Sequence, residues 1–147
     1  MSLTQTMGAG LVIDAFVAMK WLVDEDGSEA AFTLRDRDLP APALLRIETA
    51  NVLRTLAARQ SATADEALDP FALLQNAPVT IVDHDEALER GALHLGLELG
   101  HPVYDCFYLG LAERMGRCLV TANNRFLKAL RSTPHAARVI ALEAITS

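Results

Sequence analysis

The sequence predicts one α/β domain, in which a central, mainly parallel sheet of four or five strands carries helices on both faces. Three observations favour this architecture. Short, continuously apolar runs alternate with longer segments of helical periodicity, as expected when both faces of a sheet are covered. The length of 147 residues suits one domain with one core. No internal repeat, low-complexity segment or linker divides the chain.

The predicted strands are short. The clearest runs are LVI, VTIVD and CLVT, and ARVIAL supplies a last strand near the end of the chain. The Pro-containing segment DLPAP is a candidate fifth strand. In the same order, these runs occupy residues 11–13, 79–83, 118–121, 137–142 and 38–42.

Apolar residues at helical spacing predict helices between these strands. The two most apolar helices cover residues 16–23 and 44–56, and a short helix covers 28–38. The side chains available for burial are Phe16, Val17 and Trp21 in the first helix, and Leu45, Val52, Leu53 and Leu56 in the second.

Capping signals predict where several helices begin and end. Ser28 is the expected N-cap of helix 28–38. Thr63 followed at the third position by Glu66 fits a capping box. Gly100 is typical of the glycine that ends a helix, and Pro102 is expected at the first position of the next one.

The chain has the composition of a cytoplasmic protein. No run of about 18 apolar residues exists, so we expect no membrane span, and the first residues lack the pattern of a signal peptide. Residues 1–8 are interpreted as a flexible leader, with the native start near Met7, and residues 9–147 as the domain. Cys106 and Cys118 form no CxxC pair and have no His cluster near them in sequence, so we expect reduced core cysteines.

Acidic and amide side chains fall where a parallel sheet usually binds ligands, at the carboxyl ends of its strands. Asp14 follows the first strand and Asn123 follows CLVT. Glu48 lies early in helix 44–56. Asp105 lies in a stretch that is otherwise aromatic, aliphatic or small from Pro102 to Ala112, where a carboxylate is costly unless a partner meets it.

Together these residues predict a metal site. Three carboxylates at one edge repel each other, and a divalent cation removes that conflict. Oxygen ligands without a His or Cys cluster favour Mg²⁺ or Mn²⁺. Such an ion polarises water and stabilises charge on a phosphate, which outlines a metal-dependent phosphodiesterase. We therefore expect Asp14, Glu48 and Asp105 to be both catalytic residues and metal ligands, with Asn123 as a weak fourth ligand.

Each of these residues also has a purely structural interpretation. Asp14 and Asn123 fit helix caps, and Glu48 fits a solvated helix position. Asp105 in a first helical turn is favoured by the helix dipole. His101 is interpreted as a residue of the helix N-terminus rather than as a catalytic base.

Four stretches carry a resemblance to a known family. They are VIDAFVAMKWLVDE, APALLRIETANVL, GHPVYDCFYLGLAERMG and CLVTANNRFLKAL, which occupy residues 12–25, 41–53, 100–116 and 118–130. Together they resemble the motifs of PIN-domain ribonucleases and, among these, the VapC-type toxins of bacterial toxin–antitoxin pairs. The resemblance covers nearly the whole chain, and its acidic residues fall on Asp14, Glu48 and Asp105.

The resemblance implies an endoribonuclease that cuts single-stranded regions of tRNA or rRNA. It also implies a homodimer and a cognate, VapB-like antitoxin that lays a helix in a groove. Helices 16–23 and 44–56 could supply this groove, or they could equally be ordinary core. A net charge of −6 gives no support to a broad basic surface, but it allows local phosphate contacts. The candidates for such contacts are Lys20, Arg46, Arg54, Arg125 and Lys128, and those for supporting the acidic residues are Asn51 and Thr121.

The chain departs from the family pattern at Asn123, where the motif usually has Asp. A neutral amide binds a metal more weakly, so a PIN-like module that binds protein and no longer cuts RNA is the main alternative. A receiver-type signalling domain is a weaker one. It needs an acidic pair after the first strand, where Asp14 stands alone, and only Asp83 is placed to accept phosphate.

Overall fold

A computed structural model describes residues 10–145. The predicted leader, residues 1–8, and the proposed start near Met7 lie outside the described residues. The described strands are β1 (Leu11–Ile13), β2 (Leu39–Pro42), β3 (Val79–Val82), β4 (Cys118–Thr121) and β5 (Val139–Ala141).

Helices connect these strands. They are α1 (Ala15–Leu22), α2 (Ser28–Phe32), α3 (Leu44–Arg59), α4 (Ala64–Leu74), α5 (Glu86–Leu99), α6 (Val103–Met115) and α7 (Asn124–Leu130). Two 3₁₀ turns, Pro134–Arg138 and Leu142–Ala144, flank β5. None of the described helices combines the length and apolar character of a membrane span.

The strands form two parallel sheets, which confirms the predicted α/β class. One sheet has three strands in the order β1-β4-β5, with Val12 opposite Leu119, and the other pairs β2 with β3. Strands β1 and β2 contact each other, so the two sheets lie side by side. The carboxyl ends of β1 and β4 meet at the same edge, because their pairing is parallel and in register.

Helices cover both faces of β1. All three of its side chains are fully buried, and successive side chains of a strand point to opposite faces. Helix α6 packs against α5 and against β1, β2 and β4, while α1 packs against α3 and α4. The buried Cys106 and the partly buried Cys118 are both free thiols, as expected.

Local signals located several helix ends correctly. The capping box of Thr63 and Glu66 is present at the start of α4. Gly100 adopts a left-handed conformation, with φ of 61°, at the end of α5. These predictions succeed because the interactions that fix such ends lie within a few residues of each other.

Other predicted boundaries are wrong. The helix expected over 28–38 ends at Phe32. Beyond it the chain continues in turns, whose backbone hydrogen bonds join residues three positions apart. Ser28 is not its N-cap. Gly27 precedes the helix, and the buried Ser28 hydroxyl bonds the backbone of Val23 and Glu25 instead. Pro102 is the N-cap of α6 rather than its first residue.

Two residues expected in the core are exposed. Phe16 of α1 and Val52 of α3 are 49% and 37% exposed, whereas Val17, Leu45 and Leu53 are buried as predicted. Periodicity places Phe16 and Val52 on apolar faces, but those faces line an open groove rather than the core.

Candidate active site

Asp14 lies at the end of β1 and is also the N-cap of α1. Its Oδ1 accepts a hydrogen bond from the Val17 N–H at 3.0 Å, and the Thr121 hydroxyl donates to its Oδ2. Burial raises the pKa of Asp14 to about 7, with the charges of Asp105 and Glu48 adding to it and the two hydrogen bonds opposing it. Asp14 therefore both caps a helix and belongs to an acidic group.

Glu48 lies in the second turn of α3, where it is half-buried. The hydroxyl of the buried Tyr108 donates a hydrogen bond to its Oε1 at 2.5 Å. Burial and the charge of Asp105 raise the pKa of Glu48, and the bond from Tyr108 opposes this. Burial and the same carboxylates raise the pKa of Tyr108, so its hydroxyl stays a donor.

Asp105 lies in the first turn of α6 and meets two side chains of the protein itself. His101 Nε2 lies 2.6 Å from its Oδ2, and Asn123 Nδ2 donates to the same oxygen at 3.1 Å. The ring of His101 packs against Phe126, with ring centroids 4.9 Å apart. These two contacts, both from the protein itself, explain how the carboxylate of Asp105 is tolerated among apolar neighbours.

Thr121 and Asn123 link the end of β4 to the acidic residues. The Thr121 hydroxyl accepts from the Asn123 N–H at 2.9 Å while donating to Asp14. Asn123 is the N-cap of α7, because its Oδ1 accepts from the Phe126 N–H at 3.2 Å. The structure thus places Thr121 beside Asp14, where a supporting residue was expected.

We call Asp14, Glu48 and Asp105 the acidic site. They come from three different elements, and the charge of Asp105 raises the pKa of both other members. His101 and Tyr108 were not expected from the sequence as their partners. The four-residue spacing of His101 and Asp105 was a usable signal for one pair, whereas Tyr108 lies 60 positions from Glu48 and gave none.

The donor chemistry of the acidic site fits a hard divalent cation. All its ligand atoms are carboxylate oxygens, and a cation would relieve the mutual repulsion. Across residues 10–145, Asp105 Oδ1 and Glu48 Oε2 have no hydrogen-bond partner. In the same part of the chain, no three His, Cys, Asp or Glu side chains already form a metal-binding cluster. The residues fit in type and charge, and ligation would require them to draw closer.

Residues 11–131 match the family model of the PIN domain. The chain belongs to the PIN domain family. This match spans β1 to the end of α7, so it includes every member of the acidic site. No protein with a curated description matches the chain.

Solved structures show the same fold. A protein from Pyrobaculum aerophilum is 20% identical, with a TM-score of 0.66 over 97% of this chain and 90% of that chain. DNA-bound VapBC from Salmonella typhimurium is 18% identical, with a TM-score of 0.63 over 90% and 97%. VapC20 of Mycobacterium tuberculosis, described as a sarcin–ricin loop cleaving toxin, is 14% identical, with a TM-score of 0.58 over 77% and 88%.

An apolar groove of about 610 Å³ opens beside the acidic site of this PIN domain. It lies between α1 and α3, and Glu48 and Asn51 contribute polar groups to its lining. The exposed apolar side chains along it are Phe16, Ile47, Val52 and Tyr104. Asn51 thus lies in the groove, and it makes no hydrogen bond to the acidic site in the described structure.

The five basic candidates do not converge on the acidic site of this PIN domain. Lys20 lines a cleft with Thr121, and it forms an ion pair with Glu25 at 3.1 Å. Arg46 lines a different cleft, formed by α4 and β3. The others are exposed: Arg54 on α3, and Arg125 and Lys128 on α7.

Proposed function

We propose that this PIN domain is a divalent-metal-dependent endoribonuclease and the toxin of a toxin–antitoxin pair. One observation carries the proposal: three carboxylates from separate elements lie close enough that the charge of Asp105 raises the pKa of both Asp14 and Glu48, in a chain that matches the PIN domain over residues 11–131. Placing three carboxylates together lowers the stability of the folded protein. A function that needs concentrated negative charge explains why the protein retains them.

Asp14, Glu48 and Asp105 are the residues that would hold Mg²⁺ or Mn²⁺. Asn123, which the sequence predicts as a weak fourth ligand, lies against Asp105. When bound, the ion supplies a polarised water and stabilises charge on the scissile phosphate. The carboxylates must be ionised to bind it, so the raised pKa of Asp14, about 7, makes a proton the competitor of the metal. Hydrogen bonds from Thr121 and Tyr108 hold Asp14 and Glu48 in place.

The proposed substrate is a single-stranded region of tRNA or rRNA. The described cleavage of the sarcin–ricin loop by a structural neighbour supports rRNA as one candidate. Lys20 beside Thr121 is the best placed of the basic residues to contact a phosphate, and Arg125 and Lys128 extend from the neighbouring helix α7. Arg46 and Arg54 would contact only RNA that extends beyond the acidic site.

The proposed partner is a VapB-like antitoxin that lies in the α1–α3 groove. The groove is apolar, reaches Glu48 and presents Phe16, Ile47 and Val52 to solvent, which suits the apolar face of a helix. Two structural neighbours are VapBC complexes. A homodimer and a cytoplasmic location belong to the same proposal.

Cleavage of bulk tRNA and rRNA in EDTA, Mg²⁺ and Mn²⁺ tests the proposed function. We expect cleavage with metal, none in EDTA, and a loss of at least about 100-fold in Asp105→Asn. Asp83→Asn is the matched control, because Asp83 is exposed and lies outside the acidic site. An Asp105→Asn variant that cuts at the wild-type rate contradicts the proposal.

The alternative is a PIN domain whose catalysis has been weakened and which acts as a protein-binding module. Asn123 in place of the usual Asp is the observation that favours it. Wild-type protein that binds a VapB-like antitoxin but cuts no RNA with either metal would establish this alternative. Metal-dependent cleavage by wild type would exclude it.

A further inference from the structure

The surroundings of Asn123 determine how its amide is oriented. One end faces the Phe126 N–H, which is a donor, and the other faces the Asp105 carboxylate, which is an acceptor. The amide oxygen must therefore point to Phe126 and the nitrogen to Asp105. In the opposite orientation the amide N–H would face the Phe126 N–H, and the amide oxygen would face the carboxylate of Asp105. The oxygen that would ligate a metal is thus already engaged in capping α7.

His101 contacts the same oxygen of Asp105. Its Nε2 lies 2.6 Å from Oδ2, and an ionised carboxylate only accepts, so this nitrogen donates. The side chain of His101 is 6% exposed and its ring packs on Phe126. Phe126 therefore supports both donors. Its ring packs against the ring of His101, and its backbone N–H bonds the side chain of Asn123.

The two donors hold Asp105 by one oxygen. Both bonds end at Oδ2, and Oδ1 has no hydrogen-bond partner within residues 10–145. An aspartate at position 123 would still cap α7, but it would present an acceptor to Oδ2 and add a like charge. Asparagine and aspartate are therefore not interchangeable at this position.

We propose that His101 and Asn123 are positioning residues that hold Asp105 by Oδ2, and that Asn123 serves the acidic site as a donor rather than as a metal ligand. Asn123 is then an adaptation that keeps Asp105 ordered and not a weakened ligand. The contribution of this pair to cleavage rests on the proposed function, whereas its effect on Asp105 does not.

The first experiment measures melting temperatures in EDTA at pH 8, without RNA. Asn123→Asp keeps the cap and should lower the melting temperature by about 4 °C relative to Asn124→Asp, which adds the same charge at the next, exposed position. The double variant Asp105→Asn/Asn123→Asp restores an amide–carboxylate pair and should recover most of this loss. Additive effects of the two substitutions would overturn the proposal.

The second experiment measures binding of Mn²⁺ alone. His101→Phe keeps a ring against Phe126 but removes the donor, and we expect Mn²⁺ affinity to fall about 10- to 100-fold. In RNA cleavage, kcat should fall while KM stays within about twofold, and His101→Gln, which can still donate, should recover part of the kcat loss. Unchanged Mn²⁺ affinity in His101→Phe contradicts the proposal.

Asn123→Asp decides between the two roles of Asn123. Tighter Mn²⁺ binding and faster cleavage than wild type would show that Asn123 is a weakened ligand, and would overturn the positioning role. Coupling of positions 105 and 123 in EDTA, in a protein that cuts no RNA, would refute the proposed function and still support the positioning role.

Discussion

Asp14 is the residue whose protonation the fold changes most clearly. Its pKa is about 7 in the folded protein against an ordinary value of 3.8, chiefly because it is buried. Between these pH values the folded state holds a proton that the unfolded state has released. This contribution to stability is complete below about pH 4 and is lost as the pH rises through about 7.

Asp14→Asn should therefore remove this pH dependence of the protein's stability. In EDTA at pH 8, we expect this variant to melt roughly 5 °C above wild type, and the difference to shrink towards pH 4. Asn retains an oxygen for the Val17 N–H, so the cap is kept. The same variant should lose metal-dependent cleavage. Melting curves from pH 4 to 8 check this, and a variant less stable than wild type at pH 8 argues against a raised pKa of Asp14.

The acidic residues were predictable one by one, but most of their partners were not. Asp14 and Asn123 could be placed from the strands that precede them, and Asp105 from its apolar neighbours. Thr121 was expected to support the acidic residues, although its bond to Asp14 joins positions 107 apart. The donor from Tyr108 to Glu48 depends on how α6 packs against α3. Only the tertiary structure brings these pairs together.

Among the elements, α3 shows how a distant residue fixes a helix end. Its N-cap, Ala43, has no capping side chain, and His84, after β3, accepts from the Leu44 N–H at 3.1 Å instead. His84 also stacks on Phe107, with ring centroids 4.7 Å apart. The capping box at α4 was predicted because it is local, whereas this contact spans 40 positions.

His135 joins the 3₁₀ turn before β5 to two helices. It contacts Glu98 of α5 at 3.1 Å and Glu113 of α6 at 2.8 Å. Partial burial lowers the pKa of His135, but the two hydrogen bonds outweigh it and the net pKa is raised above 6.5. The resulting stabilisation is complete below that ordinary value and is lost as the pH rises through the raised pKa.

His135→Gln should therefore cost more stability at pH 6 than at pH 9, where the wild-type ring is neutral. His94→Gln is the control, because His94 is exposed on α5 and its side chain makes no hydrogen bond, ion pair or ring contact among the described residues. Melting temperatures at the two pH values provide the measurement. An equal loss at both pH values would mean that the charge of His135 contributes nothing.

The groove between α1 and α3 carries a separate prediction. Ile47 is 67% exposed on its wall, so Ile47→Glu should leave the fold intact. It should weaken binding of a VapB-like antitoxin at least about 10-fold, because it places a charge against an apolar helix face. Calorimetric titration measures this, with Leu97→Glu on the distant helix α5 as the control. Equal antitoxin binding by both variants would indicate that the antitoxin binds at another surface.

At the scale of the whole molecule, the order of strands and helices was sufficient to predict the α/β class. It was not sufficient to predict that the strands form two adjacent sheets, since backbone pairing between β1 and β2 depends on their exact separation. The parallel register of β1 and β4 brings Asp14 and Asn123 to one edge, and α3 and α6 add Glu48 and Asp105. The fold thus concentrates negative charge beside an apolar groove.

The most direct test of this account is a crystal structure of the protein grown with Mn²⁺, with the metal located by its anomalous scattering. We predict a Mn²⁺ ion ligated by Asp14, Glu48 and the Oδ1 of Asp105, with Oδ2 still bonded to His101 and Asn123. A peak at this position establishes the acidic site as a metal centre. No Mn²⁺ at the acidic site under saturating metal would contradict the central claim.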